Sequence, residues 1–143
     1  MLTHEHDGRV ALDLNGPTGA AVGVGLALVM IAPIALFLGD SEAFQFIAVL
    51  LGFVGGVYLG FGVASGSVSE LLLEFTVAGA FMLVAAVALW VESPVVLAAG
   101  YAAHGVWDLV HHPRAVTTPV RGWYPPFCVL FDIVMTGYVL IRF

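Results

Sequence analysis

The first apolar run of this chain, Gly19 to Leu38, carries no charged residue over its whole length. The hydrocarbon core of a bilayer is crossed by about 20 such residues in a helix. In lipid every backbone N–H and C=O must be satisfied within the structure, so an apolar run of this length is constrained to be helical. Four more segments follow the same rule. The spans are predicted at 19–38, 44–64, 71–91, 95–112 and 126–142. Polar breaks separate them: Gly39-Asp40-Ser41-Glu42, Ser65-Gly66-Ser67, Glu92-Ser93-Pro94, and the loop from Pro113 to Gly122. Ser93 is a favourable N-cap with Pro94 as first helical residue, and Ser67-Val-Ser-Glu70 has the capping-box pattern. The expected fold is an all-α polytopic membrane bundle of about five transmembrane helices. It divides into a polar tail, 1–17, and a single transmembrane domain, 18–143.

Composition agrees: 61% of residues are hydrophobic and 10% charged, against about a quarter charged in soluble domains. Ten acids stand against four arginines, without a lysine. The lack of a basic face excludes nucleic acid as a partner; membrane lipid is the expected surrounding. The tail is too polar, and the run after it too long, for a cleaved signal. With an odd number of spans the termini lie on opposite sides. An N-terminus in the cytoplasm puts Arg9, Arg114 and Arg121 inside and Arg142 outside, as the positive-inside rule prefers. A multi-pass protein of the cell membrane with a cytoplasmic N-terminus is therefore expected. Gly52, Gly56 and Gly60 recur every four residues and make one smooth helix face, suited to close packing or to a homo-oligomer.

Ionisable residues within spans are costly and mark candidate sites. Tyr101, His104, Asp108 and His111 follow one another at intervals of three, four and three along one helical face, and His112 borders it. His and Asp one turn apart can share a metal ion. Antiparallel neighbours bring the start of the third span, the end of the fourth and the start of the fifth to one side of the membrane. At about 1.5 Å per residue, His104 lies about 12 Å inside its helix end, Asp132 about 9 Å past Pro126 and Glu74 about 6 Å past Glu70. Glu74, His104, Asp108, His111, His112 and Asp132 are thus available to a common centre in one leaflet. Each also has a structural alternative. His111 and His112 suit a helix C-terminus, Asp108 can orient a histidine or pair with Arg114 or Arg121, and Asp132 can serve a polar helix contact. The tail sequence His4-Glu5-His6-Asp7 offers further ligands or simply a solvated terminus.

His104-Gly-Val-Trp-Asp108-Leu-Val-His111-His112, with Trp123-Tyr-Pro-Pro-Phe-Cys128, resembles a family of small uncharacterised prokaryotic integral membrane proteins. The resemblance covers the whole chain and implies no settled activity. Asp108-Leu-Val-His111-His112 is more distantly similar to the histidine boxes of membrane desaturases and hydroxylases, which implies a metal site. Asp108 stands where those enzymes have histidine, and this chain has too few histidines for their two-iron arrangement.

Three functions remain open. In the first, a metal-dependent enzyme acts on a lipid or other apolar substrate. His104, Asp108, His111, His112 and Asp132 are its ligands, zinc or iron its metal, and Glu74 its general base. In the second, the same groups are stations of a proton or metal-ion carrier or channel, continued by Tyr58, Thr136, Tyr138 and Glu92 in the opposite leaflet. The third is a structural or accessory subunit of a membrane complex.

Overall fold

The computed structural model of the chain describes residues 17–111 and 116–143. Five helices follow one another: α1 Pro17–Phe37, α2 Asp40–Ser65, α3 Val68–Trp90, α4 Pro94–His111 and α5 Tyr124–Arg142. There is no strand among the described residues. Each helix falls on an expected span, with ends shifted by a few residues. The polar tail, apart from Pro17, lies outside the described residues.

The boundaries have local causes. Ser67 caps α3 by accepting a hydrogen bond from Glu70 N–H at 3.4 Å. Ser93 caps α4 by accepting from Val96 N–H at 3.3 Å. Gly66 ends α2 in the left-handed region, with φ of 70°. The α3 terminus uses the same device without glycine. Glu92 has φ of 49°, Ser93 N–H donates to Ala88 C=O, and Glu92 N–H donates to Leu89 C=O. That is the Schellman pattern, whose left-handed position normally belongs to glycine. Glu92→Gly is therefore expected to raise stability by roughly 1 kcal/mol, because the side chain is what disfavours this backbone region. Thermal unfolding in detergent checks it; an unchanged or lower midpoint argues that Glu92 is held by side-chain contacts instead.

Four helices, α1, α2, α3 and α5, are long and apolar enough to cross a membrane. α4 falls short because His104, Asp108 and His111 interrupt it, yet all three are among its buried residues. Its outward positions, Val95, Ala99, Ala102, Ala103, Val106 and Leu109, are all apolar. The whole bundle shares this inversion. Leu28, Phe37, Phe53, Phe75, Trp90 and Ile141 are exposed, while Glu74, His104, Asp108, His111 and Asp132 are buried. A soluble protein distributes these types the other way. A surface of this kind is suited to lipid.

α2 and α3 form a hairpin, α4 packs on α5, α3 and α2, and α1 packs on α5. Gly23 of α1 meets Phe127 of α5, and the far end of α1 meets Arg142 at the far end of α5, so these two helices run parallel. A methyl group at Gly23 would overlap the Phe127 carbonyl oxygen. Arg142 locks the opposite end of the bundle. It donates to the carbonyls of Ile34 at 3.1 Å and Leu38 at 2.8 Å, to Tyr138 Oη, and to Asp40 Oδ1 at 3.2 Å.

Glycine spacing of four identifies the wrong close contacts on α2. Gly52 is buried and looks toward α3, but a Cβ on Gly56 or Gly60 would meet nothing within 4 Å. The intimate positions are Gly55, where a Cβ would lie 2.7 Å from Phe81 Cβ, and Gly62, where it would lie 3.3 Å from the Glu74 side chain. The two positions are seven apart, two turns along the α3-facing stripe. They bring Phe81 and Glu74 against α2.

Candidate metal centre

The buried polar residues gather at one end of the bundle, where α2 and α4 finish and α3 and α5 begin. Tyr58 approaches from α2, Glu74 from α3, His104, Asp108 and His111 from α4, and Asp132 from α5. All are between 0% and 4% exposed. Gly105 makes room for α5 here: a Cβ on it would lie 3.4 Å from Asp132 Cβ.

His104 stands between two carboxylates. Its Nδ1 lies 2.7 Å from Asp132 Oδ2 and 3.3 Å from Asp108 Oδ2. Tyr58 donates its hydroxyl to the other Asp108 oxygen, Oδ1, at 2.6 Å. Phe81 packs edge-on against the imidazole, with ring centroids 4.9 Å apart. Three atoms of the group are buried without a hydrogen-bond partner: His104 Nε2, Asp108 Oδ2 and Asp132 Oδ1. One ligand atom from each of His104, Asp108 and Asp132 can be chosen so that all lie within 4.8 Å of one another. With metal–ligand distances of about 2.0–2.1 Å, the edge of a tetrahedral site is about 3.3 Å. The His104–Asp108 separation matches that edge, and the His104–Asp132 separation is that of a hydrogen bond. One nitrogen and two carboxylate donors leave room for further ligands, the pattern of an open rather than a closed site.

Glu74 and His111 form a second pair beside this triad. His111 Nε2 lies 3.0 Å from Glu74 Oε1, and Thr118 donates to the same oxygen at 2.7 Å. His111 Nδ1 lies 3.0 Å from the Trp107 carbonyl. A carbonyl can only accept, so Nδ1 carries a proton. The contact between Nε2 and the carboxyl oxygen then needs one more shared proton. The pair is net neutral whichever partner holds it. Glu74 Oε2 is buried and unpartnered. Tyr58 stands between the two groups, its ring centroid 4.4 Å from His111 and 6.2 Å from His104.

Of the six residues expected to share a centre, the structure brings three together as a group that could hold a metal ion: His104, Asp108 and Asp132. Glu74 and His111 pair with each other at the same depth. His112 lies outside the described residues, as do Arg9, Arg114 and the His4–Asp7 stretch. Tyr58 is a correction. Expected in the opposite leaflet, it binds Asp108. Counting about 1.5 Å per residue back from the end of the second span would have put it about 9 Å deep, level with Asp132. Thr118 was not expected either. It lies in the loop before α5, and loop residues carry no depth signal.

Comparison with known proteins adds one relation. No curated protein and no solved structure matches the chain. A family model described as a family of unknown function, DUF6010, matches residues 18–142, which takes in the five helices, apart from the first residue of α1, and every residue of the buried cluster. The chain belongs to the DUF6010 family.

Proposed function

We propose that this protein is a membrane metalloprotein that holds a zinc or iron ion between His104, Asp108 and Asp132 and acts on a lipid or other apolar substrate. One observation carries the reading: two carboxylates at 0% and 1% exposure flank a single imidazole. Isolated carboxylates are not left charged in such surroundings without compensation. Among the described residues, the one arginine ion pair, Arg142 with Asp40, is at the other end of the bundle. A divalent cation would balance both carboxylates and give the orphaned Asp108 Oδ2 and Asp132 Oδ1 a partner. The donor set of one imidazole and two carboxylates suits zinc or iron.

The remaining residues have supporting parts. Tyr58 fixes the Asp108 carboxylate through Oδ1, leaving Oδ2 to bind. The Trp107 carbonyl orients His111, and the Glu74–His111 pair can take up and release a proton beside the centre, with Glu74 as the base. A bound cation supplies Lewis acidity toward a substrate oxygen. By the positive-inside count this end of the bundle faces the cytoplasm of a cell membrane. Gly56 and Gly60 leave a smooth strip on α2, suited to a second copy of the chain. The carrier reading has less support: among the described residues, the fully buried side chains beyond Tyr101 are apolar, with Ile47, Leu51, Leu97, Met135 and Val139 each 0% exposed.

Elemental analysis of gently purified protein tests the proposal. About one zinc or iron per chain is expected; less than about 0.2, with no uptake of added metal, defeats it. Tyr58→Phe keeps the ring but removes the hydroxyl that holds Asp108. It is expected to weaken metal binding about 10- to 100-fold, the usual cost of losing an outer partner. Competition with a chelator reads this directly, and unchanged affinity would remove Tyr58 from the centre.

A further inference from the structure

A groove opens on the lipid-facing side of the bundle between α1, α2 and α5. Leu26, Phe53, Val54 and Phe131 wall it, and His104 and Asp132 stand at its inner end. Leu26 and Phe53 at the mouth are 42% and 71% exposed. The cavity measures about 150 Å³. A methylene group is similar in size to a water, whose share of liquid volume is about 30 Å³, so roughly five such groups fit. His104 is 1% exposed, and its Nε2 is buried without a partner.

We infer that this groove receives a single hydrocarbon chain of a membrane lipid and presents its upper carbons to His104 and Asp132. This names the substrate class of the centre proposed above and rests on that reading for its chemistry, though not for its binding. The mouth faces the region where lipid chains are the solvent. A helix from a second copy, about 10 Å across, is too broad for the space. The N-terminal tail is the wrong chemistry: His4, Glu5, His6, Asp7, Arg9 and Asp13 would put charge against apolar walls. Depth also fits. His104 lies seven residues from the end of α4, about 10 Å by helical rise, below a headgroup and level with the first part of an acyl chain.

Photolabelling tests the inference. The whole protein is reconstituted in phosphatidylcholine vesicles with a palmitic acid analogue bearing a diazirine near its carboxyl end, irradiated, digested and mapped by mass spectrometry. Adducts are expected on residues 128–132, at the inner end of the groove. They should fall about tenfold with excess palmitate. They should fall similarly in Leu26→Trp, which obstructs the mouth, and in Val54→Trp, which fills the cavity. Labelling of the outward residues Leu72 and Phe75 on α3 should persist in both variants. Labels confined to outward faces would overturn the inference, as would labels on 128–132 that survive both blocking variants. So would shielding of 128–132 that appears only when the protein is dimeric. Insertion of the photolysed probe needs no metal, so chelated protein should label equally. Loss of metal with labelling intact would count against the centre alone, and intact metal with labelling absent against the groove alone.

Discussion

Asp132→Asn is expected to empty the metal centre while leaving the helix bundle folded. Asparagine preserves the volume of the side chain, so the clearance at Gly105, where a Cβ would sit 3.4 Å from Asp132 Cβ, is unaffected. What changes is charge and donor character. Two buried carboxylates become one, and an amide replaces the oxygen now 2.7 Å from His104 Nδ1. Losing an outer partner of a metal ligand already costs about 10- to 100-fold, so losing a charged ligand should cost at least about 100-fold in affinity. Metal content and chelator competition read the loss, and circular dichroism in detergent checks that helicity is kept. Full metal content in this variant would mean that the ion is held elsewhere.

The second large effect is on stability. His111→Ala leaves Glu74, fully buried, with Thr118 as its one remaining hydrogen-bond donor among the described residues. Breaking a buried pair by removing one partner costs about 3–5 kcal/mol, because the survivor keeps its desolvation cost. Replacing both partners with apolar residues is often near neutral. His111→Ala should therefore unfold much more readily in a detergent titration, and Glu74→Leu in the same chain should recover most of the loss. A single variant as stable as the parent would show that this pair does not support the fold.

The fold was readable because lipid leaves a chain so few solutions. Runs such as Gly19 to Leu38 have no alternative to a helix, and Ser67, Gly66 and Ser93 end or begin helices by local chemistry that sequence displays. Depth was readable too, since a fixed helical rise converts position into distance along the membrane normal. That is why Glu74, His104, Asp108, His111 and Asp132 all arrive at one end of the bundle. Azimuth was not. Whether Glu74 turns toward His104 or His111 depends on how α3 rotates against α2, which Gly55 and Gly62 decide through clearances of a few tenths of an ångström. A repeat of four, Gly52-Gly56-Gly60, looks like a packing face but only its first member meets α3. Tyr58 obeys the same depth rule: about 9 Å from the end of its own span, it stands level with Asp132 and reaches Asp108. Thr118 depends on a loop whose path no periodicity describes.

X-ray absorption on the purified, metal-loaded protein tests the central assignment most directly, because it reads the identity and distances of the donor atoms around the ion. With His104, Asp108 and Asp132 as ligands, the expected spectrum has a first shell of nitrogen and oxygen at about 2.0–2.2 Å, a single imidazole contribution and no sulfur. The shell should change in Asp132→Asn. A spectrum with two or more imidazoles, with a sulfur donor at about 2.3 Å, or identical in the variant would contradict a centre built on these three residues.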